Sequence, residues 1–181
     1  RDLPAYLHGN RKTKLVPIVS SARLADMICK AWSKYPHLPD AIIVEGPKAG
    51  GHLGYSRAQL DDPAFVAHGL EQIVVEVMAA VKPFETASHR IPVIAAGGIF
   101  YGGDIRRLNE LGVAGVQMAT RFVTTPECDA SQAFKDEYLR CRPQDLAIIN
   151  SPVGMPGRAI LNQFLREVES GKRTPINCAF H

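Results

Sequence analysis

Short runs that are apolar on both faces, each followed by a longer stretch of helical periodicity, constrain this chain more than any other feature. The runs are KLVPIVSS (14–21), AIIVEG (41–46), IPVIAAGGI (91–99) and VAGVQMAT (113–120). After the first, ARLADMICKAWSKY places Leu24, Ile28 and Trp32 on one helical face, with Ser21 suited to cap it. PAFVAHGLEQIVVEVMAAVKPF (63–84) aligns Leu70, Val74, Val77 and Val81. GGDIRRLNELG (102–112) reads as a short helix with Asp104 at its N-terminus and Gly112 at its C-cap. Strands buried on both faces, alternating with helices, predict a parallel sheet covered by helices. Right-handed crossovers then leave a doubly wound open sheet or a (β/α)8 barrel. A barrel takes about 250 residues, so four βα units make about half of one. The expected fold is therefore α/β, of the (β/α)8 TIM-barrel class, with residues 1–181 forming a single domain that is its C-terminal half. A start at Arg1 and an abrupt INCAFH end agree with that expectation. Two open strand edges and an apolar interior would then need the N-terminal half or another chain to cover them.

The rest of the chain reads as a helix at 130–140, a short apolar run DLAIIN, a loop SPVGMPGRA, and a closing helix ILNQFLREVESG. A formal net charge of +3 is too small to argue for nucleic acid, and no continuous apolar run reaches about 18 residues, so no membrane span is expected. Cys29, Cys128, Cys141 and Cys178 lack any CxxC spacing, which argues against zinc or a redox motif and for free thiols in a reducing, cytoplasmic setting.

In a parallel α/β fold the functional loops follow the C-terminal ends of the strands. Gly50 and Gly51 follow the second run, Gly97 and Gly98 the third, and Ala119-Thr120 the fourth. Glycine at such a place lets backbone N–H groups approach a ligand, and the AAGGI and GVQMATRF pair suits a phosphate. A tight strand-to-helix turn is the plainer role for Gly97-Gly98. No GxGxxG or GxxxxGK[ST] spacing occurs. His52, alone among the histidines in standing between glycines on a strand-end loop, is the leading general base. A loop histidine bonded to backbone is the competing role. The other histidines lie near the ends or in polar and helical stretches and are expected at the surface. Glu45 ends the second run, where its side chain either enters the barrel mouth or caps the next turn. No carboxylate cluster suggests a metal, and no GxSxG suggests a serine hydrolase.

VEGPKAGGHLG, followed by IPVIAAGGI and GVQMATRF, resembles the nitronate monooxygenase (2-nitropropane dioxygenase-like) flavoproteins, over roughly residues 14 to 125. SPVGMPGRAI is similar to a C-terminal loop of some members. That family comprises FMN-binding (β/α)8 barrels and is related to FMN-dependent enoyl-acyl-carrier-protein reductases. The resemblance implies that Gly50 and Gly51 contact FMN and that His52 faces the substrate pocket as base. It also implies that Gly98, Gln117, Met118, Ala119 and Thr120 hold the phosphate. Glu45 stands where some relatives have a Gln touching FMN, and Ala119 where the family usually has Gly. The implied activity is oxidation of nitronates or nitroalkanes by O2 to carbonyl compounds and nitrite. The alternative is an NAD(P)H-dependent reductase of an enoyl thioester.

Overall fold

The first parallel strand, β1 (Ile18–Val19), is shorter than the run 14–21 because its start is committed elsewhere. Pro17 has no N–H, and the Leu15 N–H is taken by the Asp40 carboxylate at 2.8 Å. Helix α1 (Ala22–Trp32) follows, its first turn capped by the Ser21 hydroxyl, which accepts from the Leu24 N–H. The buried centre of its face is Ala25, Cys29 and Trp32, with Leu24 and Ile28 flanking it. Strand β2 (Ile42–Glu45) leads to a two-residue strand β3 (Gly51–His52), a short helix α2 (Arg57–Leu60) and the long helix α3 (Pro63–Val81). Strand β4 (Val93–Ala96), helix α4 (Gly102–Glu110), strand β5 (Gly115–Gln117) and helix α5 (Thr120–Val123) come next. The chain continues through α6 (Gln132–Arg140), β6 (Leu146–Asn150), β7 (Pro156–Ile160) and α7 (Gln163–Glu169). This computed structural model describes residues 2–9, 12–35, 37–151 and 153–174; Cys178, His181 and the rest of INCAFH lie outside them.

β1, β2, β4 and β5 form one parallel sheet in that order. Successive parallel strands add on one side only, with no point at which the order reverses. That order is compatible with a stretch of a barrel. Val19, Ile42, Val44 and Ala95 share one face of the sheet and are at most 1% exposed, whereas the opposite face is apolar but more open, with Ile43 and Ile94 half-buried and Ile18 exposed. α3 packs on α1, β2 and β4 and buries Leu70, Ile73, Val74, Val77 and Val81. With its 3₁₀ extension to Phe84 it is long and apolar enough to cross a membrane by length and composition, although Glu71 and Glu76 break the continuous apolar run sought in the sequence.

A second sheet, of order β3-β7-β6 and antiparallel, was not expected. It converts three stretches. The connector 47–61 contains β3 and α2, DLAIIN becomes β6, and most of the end of SPVGMPGRA becomes β7. The misreading has a physical cause. β3 is two glycine-flanked residues, and β7 begins with Pro156 and Gly157, both poor strand formers, so pairing alone makes them strands. His37 and His89, expected at the surface, are half-buried; His37 lies 3.7 Å from Asp40, and His89 Nε2 lies 3.2 Å from the Pro39 carbonyl.

Candidate active site

The C-terminal ends of β2, β4 and β5 converge on one cavity of about 130 Å³. Its walls are the loop after β2 (Glu45, Lys48, Ala49, Gly50), the end of β4 (96–99) and residues 117–120 after β5. Register brings them together, since Glu45 stands opposite Ala96, which in turn stands opposite Gln117. Eight of the nine residues singled out for a cofactor line this cavity: Glu45, Gly50, Gly97, Gly98, Gln117, Met118, Ala119 and Thr120. Gly51 does not; it lies on β3 with φ +77°.

The glycines divide by role. Gly97 and Gly98 have φ of +92° and +76°, and a Cβ at either would collide with the neighbouring loop, 2.9 Å from Ala49 Cβ and 2.7 Å from Lys48 Cβ respectively. Their absent side chains let two strand-end loops close on each other. At Gly50 an added Cβ would meet nothing within 4 Å. Gly50 therefore leaves room at the cavity wall, whereas Gly97 and Gly98 bring its walls together.

Glu45 is the one acid lining the cavity. Its carboxyl has no hydrogen-bond or ion-pair partner among the described residues, and burial pushes it above the usual carboxylate range. Its backbone carbonyl accepts from the Tyr55 hydroxyl, and burial, then the Glu45 charge, raise the Tyr55 phenol. The single base in the lining, Lys48, donates to the Ala67 carbonyl of α3 at 3.2 Å. Sequence reasoning did not single out Lys48, although it stands inside the quoted loop.

His52 lies outside the lining, on β3, exposed and opposite Gly157 of β7. Its Nε2 is 2.7 Å from Ser151 Oγ, which also accepts from the Val153 N–H at 3.3 Å. This pair spans 99 positions, and no local pattern reveals it. Arg158 was also missed. Opposite Gly51, it donates to the Pro47 carbonyl at 2.9 Å and so ties β7 to the loop that lines the cavity. Its Nε is buried without a partner among the described residues, and desolvation lowers its affinity for the proton.

Loop backbone and small side chains form much of the cavity wall. At about 130 Å³ the cavity has room for the phosphate end of a flavin mononucleotide and not for the whole group, since sites for entire cofactors occupy roughly 300–1,000 Å³. Gly50, with open space where a Cβ would be, fits a group passing out of it towards β3. No group of three or more metal-ligating side chains occurs among the described residues.

The family model for nitronate monooxygenase matches residues 8–180. Over 159 residues the chain is 31% identical to a Mycobacterium tuberculosis (3aS,4S,5R,7aS)-5-hydroxy-7a-methyl-1-oxo-octahydro-1H-indene-4-carboxyl-CoA dehydrogenase, covering 88% of this chain and 38% of that protein. It is 33% identical to a probable nitronate monooxygenase of Staphylococcus saprophyticus, covering 71% and 34%. Among solved structures, FabK from Thermotoga maritima superposes with a TM-score of 0.69 at 28% identity, over 95% of this chain and 48% of that one. A nitroalkane oxidase from Streptomyces ansochromogenes gives 0.65 at 28%, over 91% and 44%. The chain thus spans a third to a half of the relatives it matches. It belongs to the nitronate monooxygenase family, a family of flavin-dependent oxidoreductases.

Proposed function

We propose that this chain is the C-terminal half of a (β/α)8 barrel whose complete form binds FMN and oxidises nitronates or nitroalkanes with O2, giving carbonyl compounds and nitrite. The observation that carries this reading is the convergence of three strand-end loops on one cavity, beside a strand that presents His52. Family membership and the likeness to a nitroalkane oxidase support it. Chain-ordered parallel strands support the barrel. The open edges of β1 and β5 are where the other strands would pair.

FMN, when bound, supplies the electron-accepting ring. The protein's part is to hold, orient and deprotonate. Gly98 and the 117–120 backbone hold the phosphate, Gly50 and Gly51 give the ring room, and Glu45 meets it at the end of β2. His52 takes the proton from the carbon bearing the nitro group. With Nε2 protonated and donating to Ser151 Oγ, Nδ1 keeps the lone pair that accepts it. A preformed nitronate has already lost that proton and needs the base far less. His52→Asn is therefore expected to cost roughly 10²–10⁴-fold in kcat/KM with a neutral nitroalkane and much less with its nitronate. Equal losses on both substrates would remove His52 as the base.

A second reading keeps FMN and replaces O2 and nitronate with NAD(P)H and an enoyl thioester, whose carbon–carbon double bond is reduced. The carboxyl-CoA dehydrogenase relative favours it. Mixing the full-length protein anaerobically with NADH separates the two: rapid bleaching of the flavin absorbance selects the thioester reductase, and an unchanged spectrum the nitronate oxidase.

A further inference from the structure

We propose that Glu45 accommodates FMN as the neutral carboxylic acid, so that each flavin bound carries one proton into the cavity. This rests on the FMN reading above and goes beyond it, because it fixes the protonation state of the cavity's one acid.

The cavity supplies Glu45 with nothing that would keep it ionised. Its carboxyl has no donor among the described residues, and a flavin entering the cavity removes the remaining water. The charged and titratable groups around it are few. Lys48, on the same loop, directs its ammonium to the Ala67 carbonyl. Tyr55 places its hydroxyl on the Glu45 main-chain carbonyl and stays protonated. Arg158, from β7, directs its guanidinium to the Pro47 carbonyl. The strand neighbours are Val44 on β2 itself, Val19 beside it on β1 and Ala96 on β4, and Gln117 beyond Ala96 is neutral. An incoming phosphate held by 117–120 adds negative charge within the same cavity of about 130 Å³. Like charges confined together cannot both stay ionised at low cost, and the carboxylate is the one that can take up a proton. Burial already raises Glu45 in the free protein, in the same direction.

The test is FMN affinity of the full-length apoprotein between pH 7 and 9, where the phosphate stays dianionic, read by quenching of flavin fluorescence. Wild type is expected to weaken by up to tenfold per pH unit, while Glu45→Gln, the isostere of the neutral acid, stays flat. Riboflavin, which lacks the phosphate, is expected to show a shallower slope. Calorimetry in buffers of different ionisation heat is expected to count up to one proton taken up per FMN by wild type, and this measurement stands even if the variant does not fold. A flat wild-type profile with no proton exchange overturns the inference and leaves the FMN reading intact, as does an equal slope in wild type and variant. Wild-type protein that binds no FMN at any pH overturns both.

Discussion

The two sheets of this molecule are held by different means. The parallel sheet is a hydrophobic structure: Val19, Ile42, Val44 and Ala95 are essentially removed from water, with α3 laid across them. The antiparallel sheet is a hydrogen-bonded one. Its strand β3 is two exposed residues, held by pairing with β7, by the Leu53 N–H on the Pro156 carbonyl at 2.8 Å, and by Arg57 on the Ile148 carbonyl at 3.1 Å. Burial stabilises in proportion to area and tolerates no change of volume, whereas a few polar bonds stabilise weakly but fix direction. One sheet therefore supports the fold, and the other aims His52. The cavity lies where the two meet, lined from the parallel sheet and tied by Arg158 to the antiparallel one.

The largest effect that separates the two belongs to the parallel sheet. Ile42 is fully buried at the start of β2. Ile42→Ala is expected to cost about 2–5 kcal/mol, the range for truncating a buried Ile in a core that cannot collapse. The measurement is the denaturation midpoint. A loss comparable to that of a surface substitution would mean that the parallel sheet is not the chief source of stability.

Next comes a contrast between two glycines of the same cavity. Gly97→Ala puts a side chain at φ +92° and 2.9 Å from Ala49 Cβ, with Ala49 backbone at 3.0 Å, so relief requires the loops to part. A cost of about 1–3 kcal/mol is expected from backbone strain alone. Gly50→Ala meets nothing within 4 Å and keeps ordinary backbone angles. It is expected to leave the midpoint unchanged and to weaken flavin binding several-fold. Equal loss of stability in both would contradict the division of roles, and unchanged flavin affinity in Gly50→Ala would show that no ligand passes that wall.

What the residues revealed in advance follows the same division. Apolar runs and helical spacing locate β1, β2, β4 and β5 and the helices α1, α3 and α4 between them, because apolar residues on both faces of a strand mark every position of the run. Ser21, Asp104 and Gly112 could be placed for the same reason, since a cap is a local demand. Asp104 accepts from the Phe100 and Tyr101 N–H groups, which hold it below the usual carboxylate range, and Gly112 has φ +99°. The antiparallel sheet left no such mark. Gly51, Pro156 and Gly157 are strand residues only because of what they pair with, and pairing across a hundred positions is invisible to a local pattern. The cavity was legible because three parallel strands end at one level. Ser151 and Arg158 were not, because they stand on a hairpin that the sequence does not announce.

The smallest expected effect probes that hairpin directly. Ser151→Ala removes the hydroxyl 2.7 Å from His52 Nε2 and the acceptor of the Val153 N–H, both at an exposed site where water replaces them. The stability cost is expected to stay below about 1 kcal/mol, the net worth of an accessible hydrogen bond. If His52 is the base, losing the hydroxyl that holds its ring is expected to lower kcat with a neutral nitroalkane by about tenfold, a modest fraction of what general-base catalysis supplies. It would also leave the nitronate rate nearly untouched. Ser151→Thr, which keeps the hydroxyl, should restore the rate. A drop shared equally by both substrates would mean that the antiparallel sheet shapes the pocket rather than aims its histidine, and the contrast between the two sheets would then be one of stability alone.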